Sequence, residues 1–192
     1  MIDEQPLQNL DRSVLRQRII AVPQEAVFLP DGSTFQANLD VFGEATCEEC
    51  KSVLTAVGLW EFVQERGGLD TGMNASTFST GQRQLMSLGR ALLRHSIRQR
   101  KFAAGLEQGG ILLLDEVSSS VDHETERVMQ QIIKTEFKSY TVIAVSHRLD
   151  MVMDFNRVVV MDAGEIVEIG DPTVLAREAG SRFGDLVKAR NK

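Results

Sequence analysis

Apolar residues along this chain follow two alternating rhythms. Short runs rich in β-branched residues occur at Arg18–Val22, Gly110–Leu114, Tyr140–Val145, Arg157–Met161 and Glu165–Ile169. Such runs, separated by stretches with apolar positions at helical spacing, predict strands alternating with helices and hence a parallel α/β sheet. The second and third runs are apolar at almost every position, so both are expected to be covered on two faces. The last two flank Asp162-Ala163-Gly164, which predicts a tight antiparallel hairpin at the sheet edge.

Between Val22 and Gly110 no further run has strand character. Helices are predicted there over Glu48–Val57, Leu59–Arg66 and Gly81–Arg94, the last carrying Leu85, Leu88 and Leu92 on one face. The expected organisation is one domain in two parts. An α/β core takes residues 1–33 and 96–192, and a helical insert takes residues 34–95. His95–Gly109, with Arg98, Arg100 and Lys101, reads as an exposed basic linker before the buried strand.

Composition narrows the field. The chain has 192 residues, 43% of them hydrophobic and 25% charged, with a formal net charge of −6. That length buries a real core, and the acidic balance argues against electrostatic capture of nucleic acid. Apolar runs such as Ile111–Leu114 and Val158–Met161 fall far short of the roughly 20 residues that a membrane-crossing helix needs. The N-terminus has neither a basic n-region nor an apolar h-region, which argues against a signal peptide. Cys47 and Cys50 form a single C-x-x-C with no second pair to complete a zinc site. They are expected to be inert thiols one helical turn apart, in a reducing compartment.

Candidate chemistry gathers at the ends of the predicted strands. Ile111–Leu114 runs into Asp115-Glu116, two carboxylates at the carboxyl end where open α/β sheets hold ligands. Asp115 is suited to Mg²⁺, and Glu116 to orienting or deprotonating a water beside a terminal phosphate. An acidic turn after a buried strand is the plain alternative. The next strand run ends on Ser146-His147, and an imidazole there can hydrogen-bond a phosphate oxygen or a carboxylate. Pro23-Gln24 ends the first strand, with Gln24 able to reach a metal-bound water or a ligand. Ser119-Ser-Val-Asp122 precedes a helix for which Asp122 is a good N-cap. Phe78-Ser79-Thr80-Gly81-Gln82-Arg83-Gln84 opens a long helix on small residues, with Ser79 as N-cap, and so offers backbone N–H groups to an anion.

Taken in order, these segments resemble the ATP-binding-cassette (ABC) nucleotide-binding domain. Gln24 looks like the Q-loop glutamine, Phe78–Gln82 like the LSGGQ signature, and Ile111–Glu116 like Walker B with its catalytic glutamate. Ser119–Asp122 is similar to the D-loop and His147 to the switch histidine. Asn38-Leu-Asp40, the Gly164–Gly170 stretch and the basic residues before Ile111 resemble the second nucleotide-binding domain of fungal multidrug-resistance-associated exporters. The resemblance implies a RecA-like ABC ATPase core with a parallel sheet, interrupted by a helical signature subdomain. It also implies ATP and Mg²⁺ as ligands. Catalytic roles would fall to Glu116 and His147, and nucleotide contacts to Gln24, Ser79, Gly81, Gln82 and Asp122. Asp115 and Gln24 would serve the metal. The implied partners are a second nucleotide-binding domain, docked head to tail so that Ser79 and Gly81 reach the γ-phosphate on it, and the transmembrane domains of an exporter. Those partners would hold the chain at the cytoplasmic face of a membrane.

The pattern departs from the family in two ways. Thr80 stands where the signature usually has glycine. More consequentially, the chain contains no G-x-x-x-x-G-K-[ST]; none of its lysines, at 51, 101, 134, 138, 188 and 192, follows a glycine. The expectation is therefore a fragment that begins roughly thirty residues after the family's phosphate loop, without the initial strands, and incomplete as an ATPase alone. Ile2-Asp3 resembles the family's I-x-I-D-G segment. The alternatives are a regulatory or binding module that supplies the signature in trans, and a truncated inactive gene product.

Overall fold

Strands form at each of the predicted runs in the computed structural model, which describes residues 2, 4–101, 109–118 and 121–190. They are β1 (Ile19–Val22), β2 (Ile111–Asp115), β3 (Thr141–Val145), β4 (Val158–Asp162) and β5 (Glu165–Gly170). The chain divides into two units, Met1–Val145 and Ser146–Lys192.

In the first unit β1, β2 and β3 form a parallel sheet in that order, with Ile20 level with Leu112 and Leu112 with Val142. Side chains alternate between faces along each strand. One face places Ile20, Val22, Leu112 and Leu114 in the core, each at most 2% exposed. The other face corrects an expectation, because β3 is not covered on both sides: Ile143 is 52% and Val145 59% exposed. β3 is the last strand of the described sheet, and the described residues leave that face open.

The helices of this unit are α1 (Arg12–Arg18), α2 (Phe35–Leu39), α3 (Cys47–Ala56), α4 (Trp60–Gln64), α5 (Thr80–Lys101) and α6 (His123–Glu136). α3 starts on a capping box: Thr46 Oγ1 accepts from Glu49 N at 3.2 Å, and Glu49 Oε2 accepts from Thr46 N at 2.7 Å. It buries Cys50, Val53 and Leu54, the spacing of one helical face. α5 packs against both α3 and β1. Its Met86, Leu88 and Leu93 are buried to 1% exposure or less, each contributing about 1.5–3 kcal/mol over an exposed position. Cys47 is exposed and Cys50 buried, both free thiols. Burial, with smaller contributions from Asp40, Cys47 and Glu49, pushes the Cys50 thiol up to about 11.

Residues 95–101 are not a linker. α5 continues through them to Lys101, because their polar side chains have partners inside the fold. His95 and Arg98 are 4% and 8% exposed. His95 Nδ1 and Arg98 Nη1 each lie 3.2 Å from the Tyr140 hydroxyl, and Arg98 Nη2 donates to Gly109 O at 2.9 Å. Arg100 pairs with Glu49 at 2.6 Å and Lys101 with Glu44 at 2.8 Å. Residues 102–108 of the expected linker lie outside the described residues. At the front, α1 ends on Arg18, which the apolar pattern had assigned to the first strand.

The second unit holds α7 (Leu149–Val152), the β4–β5 hairpin, α8 (Pro172–Leu175) and α9 (Arg182–Arg190). The hairpin is antiparallel, as the turn residues predict, with Asp162 opposite Glu165. Ala163 and Gly164 have φ of +48° and +84°, the positive pair that a type I′ turn requires. Glu168 Oε2 accepts from Phe183 N at 2.8 Å and Ser181 Oγ at 3.1 Å, which ties the start of α9 to β5. Among the described residues no helix is long and apolar enough to cross a membrane.

Candidate functional site

The parallel register sets the site. Val22 is level with Leu114, so residues that follow β1 and β2 emerge side by side at the carboxyl end of the sheet. There Gln24 Nε2 donates to Glu116 Oε2 at 3.0 Å. Glu116 N donates to Val145 O at 2.9 Å, which carries the β2–β3 ladder one residue past Asp115. Glu116 does so at φ +46°, in the left-handed region that costs a non-glycine residue on the order of 1–3 kcal/mol. Strain of this kind concentrates at functional positions.

Asp115 is exposed at the same edge, level with Val145. Among the described residues no group of three or more His, Cys, Asp or Glu side chains is arranged to hold an ion by itself. A carboxylate from Asp115 and an amide oxygen from Gln24 are hard donors of the kind Mg²⁺ takes beside its waters and substrate phosphates. Asp115 would supply the carboxylate and Gln24 the neutral oxygen.

A second group of candidates lies at two helix N-termini. Gln82 N donates to Ser79 Oγ at 3.1 Å, and Ser79 N donates to Gln82 Oε1 at 3.0 Å. This is a reciprocal capping box on α5. Gly81 is buried, and a Cβ on it would meet Thr125 Oγ1 at 3.2 Å and Asp122 Oδ2 at 3.7 Å; glycine thus lets the start of α5 approach the start of α6. Asp122 caps α6, accepting from Thr125 N at 2.9 Å and Thr125 Oγ1 at 2.8 Å. Those two hydrogen bonds, the backbone one first, hold its carboxyl below the usual range. Thr80 is exposed, so its β-branched side chain fits without displacing the cap. Phe78 is only 3% exposed and sits in an aromatic cluster with ring centroids of Phe62, Phe28 and Phe35 at 4.8, 5.5 and 6.0 Å.

Two polar residues to which the sequence pattern assigned no role join these groups. Gln84, in the second turn of α5 and 6% exposed, donates through Nε2 to the carbonyl of Gln24. Arg90 donates to the carbonyls of Val27 and Asn38, with its guanidinium 5.0 Å from the Phe28 ring. Beside it a groove of about 550 Å³ opens along β1, residues 39–44 and α5. Phe42 (71% exposed) and Val27 (70%) stand at its mouth, and Arg90, Arg94 and Arg98 line its wall.

The structure thus brings Gln24, Asp115 and Glu116 together, and separately Ser79, Gly81, Gln82 and Asp122. His147 belongs to the second unit, where it is exposed; Arg148 N turns back to Ser146 Oγ at 3.0 Å beside it. Ser119 and Ser120 of the expected D-loop, and Asp3 of the Ile-Asp pair, lie outside the described residues.

Comparison with known proteins gives these positions a setting. A family profile described as "ABC transporter" matches residues 1–97. The ABC-type transporter braE of Annulohypoxylon truncatum is 60% identical over 187 residues, covering 96% of this chain and 13% of that protein. The ABC transporter FGM5 of Gibberella zeae is 52% identical over 187 residues, covering 97% of this chain and 12% of that protein. The chain therefore spans about an eighth of the length of these relatives.

Proposed function

Because the chain belongs to the ABC transporter family, we propose that it is the ATP-hydrolysing portion of an exporter, carrying the Walker B rim and the signature but not the phosphate-gripping loop. The observation that carries this reading is the hydrogen bond from Gln24 to Glu116, which couples the residues after two adjacent strands at the ligand-binding end of the sheet. In this reading residues 34–95 are the helical signature subdomain, and residues 1–33 and 96–192 belong to the α/β core.

The proposed chemistry is phosphoryl transfer to water, which depends on positioning and electrostatics more than on covalent help. Glu116 accepts a proton from the water that attacks the γ-phosphorus, and Gln24 fixes the carboxylate through Oε2. Bound Mg²⁺ would neutralise charge on the β- and γ-phosphate oxygens, with Asp115 and Gln24 as its protein ligands. His147 hydrogen-bonds a γ-phosphate oxygen. Ser79, Gly81 and Gln82 present the N-terminus of α5 to the nucleotide on a second domain docked head to tail, with Asp122 at that interface. A phosphate oxygen there replaces the Gln82 carbonyl on Ser79 N, leaving the helix N-terminus capped by an anion. The backbone nest and lysine that grip the β- and γ-phosphates come from sequence other than these 192 residues. The groove at Val27, Phe42 and Arg90 receives a segment of the transmembrane domains.

Steady-state MgATP hydrolysis by the full-length protein tests the reading. Glu116→Gln is expected to lower turnover by about 10²–10⁴-fold, the usual contribution of a general base, with ATP binding retained. Turnover unchanged by that substitution would remove Glu116 from the mechanism.

A further inference from the structure

Gln84 is a polar side chain where the α5 pattern calls for an apolar one. It follows Gly81 by three positions and precedes Leu88 by four, on the face that packs into the core, and it is 6% exposed. Its Oε1 is buried with no hydrogen-bond partner among the described residues. A buried amide oxygen left unpaired is costly, and such groups call for an explanation. Its other end supplies one: Nε2 donates to the main-chain carbonyl of Gln24, sixty residues away in sequence. The side chain of that same Gln24 holds Glu116 Oε2 at 3.0 Å. One continuous run of hydrogen bonds therefore leads from the second turn of the helix capped by Ser79 to the carboxylate at the end of β2.

We propose that Gln84 is a positioning residue for hydrolysis: it fixes the backbone at Gln24, and thereby the orientation of Glu116, relative to the start of α5. The proposal rests on the reading of Glu116 as the residue that takes the proton from water. A displacement of the α5 N-terminus, such as binding a phosphate there would produce, reaches Glu116 through Gln84 and Gln24. Gln84 touches neither nucleotide nor water in this scheme, so its removal weakens turnover without weakening nucleotide binding.

The test uses Gln84→Met, which is close to isosteric and keeps the packing but cannot donate, and Gln84→Glu, which keeps the shape and replaces the donor with an acceptor. In the full-length protein both are expected to lower kcat for MgATP by roughly ten- to a hundredfold, the usual consequence of a misplaced catalytic group, with KM within about twofold of wild type. Because Gln84→Met also removes the unpaired oxygen, its melting temperature is expected to match or exceed that of wild type, which separates lost positioning from lost folding. The Gln24 side-chain amide resonance, assigned by comparison with Gln24→Ala, is expected to shift in Gln84→Met. Wild-type kcat with an unmoved Gln24 resonance in Gln84→Met would overturn the proposal while leaving the ATPase reading intact. A wild-type protein that does not hydrolyse MgATP would overturn that reading instead, and the Gln24 resonance would still report whether Gln84 holds the loop.

Discussion

Ser79 and Gln82 each satisfy a backbone donor that the first turn of α5 would otherwise leave to solvent. Both residues also belong to the proposed nucleotide contact, so their structural contribution has to be measured apart from function. Ser79→Ala is expected to destabilise the fold by about 1 kcal/mol in urea unfolding, as loss of an N-cap does. Gln82→Ala removes the other half of the same box, so the double variant is expected to cost less than the sum of the two. Full additivity would mean that the two side chains act independently. At Gly81 the space beside Thr125 is tight, which gives glycine at this position a packing reason besides any contact with phosphate.

At the scale of elements, α5 is the helix that joins the parts of the first unit. Its last turns replace the expected basic linker, and they place a neutral imidazole in the core against Phe137 and Tyr140. Burial, the largest influence, lowers the pKa of His95 from 6.5; Glu136 acts in the opposite direction and Arg98 in the same one. The folded chain therefore resists the proton that the unfolded chain takes up as pH falls through about 6.5. Stability drops from there down to the lowered folded pKa and rises again with pH. Melting curves between pH 7.5 and 5.5 are expected to show this loss, and His95→Gln to flatten it. An equal slope in both proteins would rule out His95 as its source.

This helix also marks what the sequence could reveal. The strands were legible to within a residue or two, because apolar runs bounded by polar residues have few other uses. The capping Ser79 and Asp122 were legible too, since a side chain needs only local geometry to cap a helix. The continuation of α5 past Arg94 was hidden, because two of its three buried positions are the polar His95 and Arg98, whose partners Tyr140 and Gly109 come from other parts of the chain. Gln84 was hidden for the same reason. Its position on the apolar face was visible, but the carbonyl it holds belongs to the turn after β1. The exposure of β3 was hidden as well, since an apolar run does not say whether both of its faces find cover.

At the scale of the molecule, the described residues of the first unit leave Ile143 and Val145 of β3 uncovered and form a rim where Gln24 meets Glu116. It corresponds to about an eighth of each transporter it resembles, and it holds no glycine-lysine loop of its own. In the proposed function it carries the carboxylate and the signature of an ATP site, with the phosphate grip supplied from elsewhere. MgATP hydrolysis by the purified 192-residue chain, beside its Glu116→Gln variant and with far-UV circular dichroism confirming retained α/β structure, tests this division most directly. No turnover above that of the variant is expected. Turnover by the wild-type chain alone that Glu116→Gln abolishes would contradict it.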